Sequence, residues 1–177
     1  AISIGDFNFE LSSIMANDNT GKAVLTLDKL WINANTSVQD DLMKINMNYQ
    51  AGKVASVGQV VENANLAISF NRFNIEVLQD FNTLMSSLSA EGEAMLSSEN
   101  LEKMSELIEK LLLDEPTVEI TDFSLQTPQG KVASSMQISI DRQLFDKTNM
   151  MSIMAAVNVN GEGKAPKAFF DKLGLSP

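Results

Sequence analysis

Apolar and polar residues alternate along most of this chain, and two stretches at helical spacing interrupt the alternation in the middle. The strictest run starts at Met43, with Met43, Ile45, Met47 and Tyr49 on one side and Lys44, Asn46 and Asn48 on the other. A period of two with one apolar side predicts a half-buried antiparallel strand. Earlier strands are predicted from Ile2 to Leu11, with an irregularity at Gly5-Asp6, and from Ala23 to about Ala34 around Trp31, the sole tryptophan. Asn17 to Gly21 reads as the turn between them, since Asn and Asp bond to nearby backbone and Gly accepts positive φ. The Met43 strand is expected to turn at Gln50-Ala51-Gly52-Lys53. It then returns to Phe70, with an interruption near Gly58 or Glu62-Asn63.

The pattern then changes period. Ile75, Leu78, Phe81, Leu84, Met85 and Leu88 recur at helical spacing behind Asn74, a suitable N-cap, and Gly92 breaks the run. A second helix is predicted from Ser97 or Ser98, with Leu101, Met104, Ile108, Leu111 and Leu112 on one face and Pro116 as its stop. Glu99/Lys103 and Glu106/Lys110 form favourable i,i+4 pairs on its outer side. Alternation resumes from Val118 to Leu125. Thr127-Pro128-Gln129-Gly130 follows, a turn with Pro second and Gly fourth, and the return strand runs from Val132 to Ile140. After a connector from Arg142 to Thr148, Met151, Ile153, Ala155, Val157 and Val159 predict a last strand, and Gly161-Glu162-Gly163-Lys164 a loop. A final helix has Pro166 in its first turn, Gly174 past its end, and Phe169, Phe170 and Leu173 facing inward.

Two echoes suggest duplication. Gly52-Lys53-Val54-Ala55-Ser56 returns unchanged as Gly130-Lys131-Val132-Ala133-Ser134, and Ile4-Gly5-Asp6-Phe7 is matched by Ile120-Thr121-Asp122-Phe123. The expectation is an α+β fold in a single domain over residues 1–177. It has an antiparallel meander sheet with two central helices and one C-terminal helix packed on its apolar face. An internal duplication would divide it into related halves at 1–96 and 97–177, with Gly52 and Gly130 at equivalent turns.

Composition narrows the function more than it identifies it. A chain of 177 residues can bury a real core. A net charge of −10 argues against binding nucleic acid through phosphates and against docking broadly on an anionic membrane surface. The absence of Cys and His removes disulfides, thiol chemistry, thiolate or imidazole metal sites and every Ser-His mechanism. No run of about 18 apolar residues predicts a transmembrane helix. The start at Ala1 without Met is consistent with a leader or anchor having been removed.

The remaining candidates are weak. Gly21, Gly52, Gly130 and Gly163 each precede Lys, but the upstream Gly and following Ser or Thr of a phosphate loop are missing. Asn17 to Gly21 lacks the alternating acidic ligands and closing Glu of a calcium loop. Carboxylate pairs are the one catalytic option left without His or Cys. Asp6 with Asp122, Asp40 with Asp41, and Glu91 with Glu93 are the candidates, and nothing in the sequence sets any pair about 5–9 Å apart across a cleft. The chain is therefore read as a non-enzyme with no catalytic, cofactor or metal residues assigned. Its methionines, among them Met43, Met47, Met85, Met104, Met136, Met150, Met151 and Met154, read chiefly as core, with a soft apolar groove as the other reading.

The stretch from Ile120 through Thr121-Asp122-Phe123-Ser124-Leu125-Gln126-Thr127-Pro128-Gln129-Gly130-Lys131 to Val132 resembles the YdgA-like family of bacterial envelope proteins of unknown function. The Pro166-Lys167-Ala168-Phe169-Phe170 helix and the Leu-rich helix ending at Asp114-Glu115-Pro116 fit the same pattern. Members of that family are longer, carry an N-terminal membrane anchor and place the rest in the periplasm. The resemblance therefore implies an internal segment, periplasmic and tethered to the inner membrane in the full-length protein, and it brings no catalytic residues. The leading expectation is a non-catalytic envelope domain, a scaffold or protein-interaction module. The alternative is a module that binds an apolar ligand or lipid in a Met-rich groove. The partner is then an unknown protein or an apolar ligand, with no nucleic acid, and with a membrane met only through an anchor outside this segment.

Overall fold

Long alternating segments joined by tight turns pair most readily with their sequence neighbours, and here every strand does so. A computed structural model describes residues 4–56, 59–91, 97–146, 148–149, 151–172 and 174. The strands are β1 (Gly5–Asn17), β2 (Ala23–Gln39), β3 (Leu42–Ser56), β4 (Gln59–Asn74), β5 (Thr117–Thr127), β6 (Gly130–Ile140) and β7 (Val157–Lys164). They form one seven-stranded antiparallel sheet in chain order, the expected meander. The helices are α1 (Ile75–Glu91) and α2 (Ser98–Leu112) between β4 and β5, α3 (Ser152–Ala156) between β6 and β7, and α4 (Lys167–Lys172) after β7, with a 3-10 turn at Arg142–Leu144.

Local chemistry explains the joints. The β2–β3 turn is Asp40-Asp41, both left-handed with φ of 52° and 62°, the two-residue geometry whose twist suits a hairpin. Asn74 closes β4 and caps α1: its Oδ1 accepts from the backbone N–H of Glu76 and of Val77, at 3.1 and 3.3 Å. Its Nδ2 donates to Asp114 at 3.1 Å, which ties the start of α1 to the segment after α2. Ser97 caps α2 by accepting from Asn100 N–H at 3.2 Å, and Lys103 pairs with Glu99 at 2.7 Å on the exposed side. At the β5–β6 turn Thr127 Oγ1 accepts from Gln129 N–H and donates to the Gly130 carbonyl.

Four sequence expectations are corrected. Gly52 is not in a turn: β3 runs on through Gly52 to Ser56, and Ser56 pairs with Gln59 of β4. The repeated pentapeptide therefore closes one strand and opens another, because Gly130 is the first residue of β6. These unlike placements give the duplication no support. Met151 to Ala155 do not belong to a strand: residues 152–156 form α3, and β7 begins only at Val157. The expected loop Gly161 to Lys164 is the second half of β7, paired with Ala133 to Met136 of β6. The proposed breaker Gly92, and Met150, lie outside the described residues.

Cross-strand partners share a face, so the register sorts the sheet. One line across it reads Phe7, Ala34, Met47, Ile68, Ile120, Met136, Gly161, and the line beside it Phe9, Ile32, Tyr49, Leu66, Phe123, Ser134, Gly163. The opposite face carries Asp6, Asn35, Asn46, Ser69, Glu119, Gln137 and Asn160 on a single line. Its side chains bond across strands: Asn35 to Asp6, Asn33 to Asn8, Ser69 to Asn46 and Gln137 to Glu119, at 2.7, 2.8, 2.8 and 3.0 Å. The sheet is thus apolar on one side and amide-rich on the other.

The core is small for this length. Among the described hydrophobic residues, Met43, Val77, Leu88, Leu107, Leu112 and Ala156 are buried. Val77 and Leu88 are on α1, Leu107 and Leu112 on α2, Met43 on β3, and Ala156 is the last residue of α3. α1 and α2 pack on one another, and α1 meets the sheet at β4, the strand from which it emerges. The helices were expected to lie over the apolar face, whereas the main contact of α1 with the sheet is with β4 alone.

Candidate functional site: the apolar face of the sheet

Alternation predicts which side chains share a face and leaves open what covers that face. Centrally the apolar lines are half-buried, from Ile32 on β2 through Met47, Tyr49 and Ile68 to Met136 on β6. Tyr49 keeps its hydroxyl within this layer by donating to Met47 Sδ at 3.3 Å. Toward both edges the exposure rises. Phe7 and Phe9 on β1 are 57% and 42% exposed, and Val159 on β7 is 58% exposed. Phe123 on β5 and Val157 on β7 are exposed too. Both edge strands, β1 and β7, pair on one side only, so they also present unpaired backbone N–H and C=O groups.

The polar candidates are not brought together. Asp6 and Asp122 lie on the same face, but β1 and β5 are four strand spacings apart, about 19 Å. Each is engaged locally, Asp6 by Asn35 and Asp122 by Asn65, both at 2.7 Å. That separation is well beyond the reach of a paired-carboxylate mechanism. Asp40 and Asp41 form the β2–β3 turn, and the Asp41 carbonyl accepts from Ile75 N–H at 3.0 Å. Glu91 is the last residue of α1, and Glu93 lies outside the described residues. Asp18 in the first turn accepts from Thr20 N–H, Thr20 Oγ1 and Lys22 N–H at 2.8, 2.6 and 3.0 Å, so its carboxylate serves the turn. The Thr20 hydroxyl, then the Lys22 and Thr20 amides, hold its carboxyl below the usual carboxylate range. Asp146 is lowered in the same way by Thr148. Among the described residues no three acidic side chains converge as a metal site, and no helix is long and apolar enough to cross a membrane.

The methionines divide. Met43 is buried, and Met47 and Met136 are half-buried on the apolar face. Met154 is 70% exposed on α3. Sequence reasoning missed the open edges of the face, since the alternation of Phe7 and Phe9 looks like that of Ile45 and Met47.

These features define an antiparallel-sheet domain with an incompletely covered apolar face. Residues 1–175 match the family described as "Bacterial protein of unknown function (DUF945)", and the chain belongs to that family. No curated protein and no solved structure matches it.

Proposed function

We propose that this chain is a non-catalytic envelope domain, a scaffold or protein-interaction module that docks a protein on the apolar face of its sheet. The observation that carries this reading is the exposure of Phe7, Phe9 and Val159 on the face whose centre is half-buried. Leaving aromatic and branched side chains in water forfeits about 1.5–3 kcal/mol each relative to burial. The exposed positions lie on the two edges of a seven-stranded sheet, roughly 29 Å apart at about 4.8 Å per strand. That breadth suits a protein surface, which buries about 800 Å² per partner, better than a single acyl chain, which fits a concave pocket. Periplasmic placement, tethered to the inner membrane through an anchor outside this segment, rests on the YdgA-like pattern around Ile120 to Val132 and at Pro166 to Phe170. The second reading, a lipid or other apolar ligand, rests on Met47 and Met136 at the middle of the same face.

A photo-crosslinking phenylalanine in place of Phe9 or Val159, with Asn35 on the polar face as control, tests the proposal in the living bacterium. The expected result is one shared protein adduct from Phe9 and Val159 and none from Asn35, with a lipid-free mass for the purified domain in native mass spectrometry. Equal adducts from Asn35, or none from any position, would overturn it. A stoichiometric co-purifying lipid would instead establish the second reading.

A further inference from the structure

The polar face is not uniform. Where Trp31 crosses it, the sheet opens into a depression of about 750 Å³ spanning β1 to β4. One wall is a single cross-strand line, Glu10, Trp31, Gln50, Asn65. The other contains Ser12, Lys29, Gly52 and Asn63. Two features of that second line make the hollow. Lys29 and Asn63 are left-handed, with φ of 56° and 48°, and interrupt the regular pleat of β2 and β4. Between them Gly52 has no side chain, and a Cβ there would sit 3.2 Å from Lys29 Cβ. The mid-strand glycine that misled the turn assignment is therefore part of the floor of this hollow.

The lining pairs the sole Trp of the chain with planar amides and a carboxylate. The Asn65 amide is fixed, because its Nδ2 donates to Asp122 at 2.7 Å. Its Oδ1 is buried, so Asn65 supports the wall, and the exposed polar groups of the lining are Glu10 and Gln50 among others. The ligand therefore needs an apolar face to lie on an indole and hydroxyls that both donate and accept. Glu10 and Lys29 leave the lining without net charge, so a neutral ligand suits it better than a phosphate-bearing one on a chain that carries −10.

We infer that the Trp31 depression is a carbohydrate site for a neutral pyranose oligosaccharide, stacked on Trp31 and hydrogen-bonded by Glu10 and Gln50. The site lies on the face opposite the protein-docking surface, so neither proposal depends on the other.

The test follows Trp31 emission of the purified chain against a panel of short linear neutral and N-acetylated hexose oligosaccharides. At least one sugar should give a saturable shift. Gln50→Ala and Glu10→Ala, both at exposed positions, should weaken it by about tenfold or more, whereas Gln137→Ala farther along the polar face should not. Trp31→Ala, followed by calorimetry, should abolish binding. If that variant does not fold, the Gln50 and Glu10 variants decide. A panel with no saturable binder, or binding unchanged in Gln50→Ala and Glu10→Ala, would overturn the inference.

Discussion

At the scale of single residues, carboxylates in this chain organise turns, and their titration should show it. The Thr20 hydroxyl, with the Lys22 and Thr20 amides, lowers the folded pKa of Asp18. A depressed folded pKa contributes stability that is present above the unfolded value, near 3.9, and is lost as pH falls through the folded value. Asp18→Asn should therefore lower the melting temperature most at about pH 7, and the gap to the parent should shrink as the pH falls below the unfolded value. A gap that stays constant with pH would mean that charge plays no part in the turn. Packing separates the methionines at the same scale. Met43→Ala removes a side chain that is only 7% exposed and should cost roughly 2–5 kcal/mol. Met154→Ala, on the solvent side of α3, should cost about 0.5 kcal/mol or less. Urea unfolding read by Trp31 fluorescence measures both.

At the scale of elements, the caps and turns were legible because a few side chains decide them. Asn74, Ser97 and the Pro128–Gly130 turn do what their chemistry predicts. The failures share a cause: a residue type names a local preference, and strand pairing can override it. Gly52 reads as a turn, yet β2 and β4 hold it in register as β3 passes through. Gly161 and Gly163 read as a loop, yet β6 pairs with them. Met151, Ile153 and Ala155 alternate like a strand, but five residues are too few for periodicity to separate strand from one helical turn. The candidate site was half-legible in the same sense: alternation places Phe7 and Phe9 on the apolar face and says nothing of its cover. The repeated pentapeptide gives a direct test of context. At Gly130 φ is +124°, and a Cβ would stand 2.7 Å from Pro166 Cγ, so Gly130→Ala should cost about 1–3 kcal/mol. Gly52 has no such φ, and a Cβ there would stand 3.2 Å from Lys29 Cβ, a tight contact that a small shift relieves, so Gly52→Ala should cost less than Gly130→Ala. Equal costs in thermal unfolding would mean that the two copies sit in equivalent backbone environments after all.

At the scale of the whole molecule, one apolar face both supports the fold and leaves surface to spare. Ile45 and Ile68, half-buried on central strands β3 and β4, belong to the part the fold needs. Phe9 and Val159 lie on the same face but on the outer strands and are exposed. A lysine at a half-buried central position must bring its charge into an apolar layer without a partner, a change that costs several kcal/mol. A lysine at an exposed edge position keeps its charge in water and blunts an open strand edge. Ile68→Lys should therefore unfold the domain or lower its urea midpoint severely. Phe9→Lys and Val159→Lys should leave the midpoint within about 0.5 kcal/mol of the parent. The same two edge variants should lose binding of a hydrophobic dye and, on the docking proposal, their protein adduct in cells. If Phe9→Lys and Val159→Lys prove as destabilising as Ile68→Lys, the edges are core in solution and the exposed face is not a docking surface.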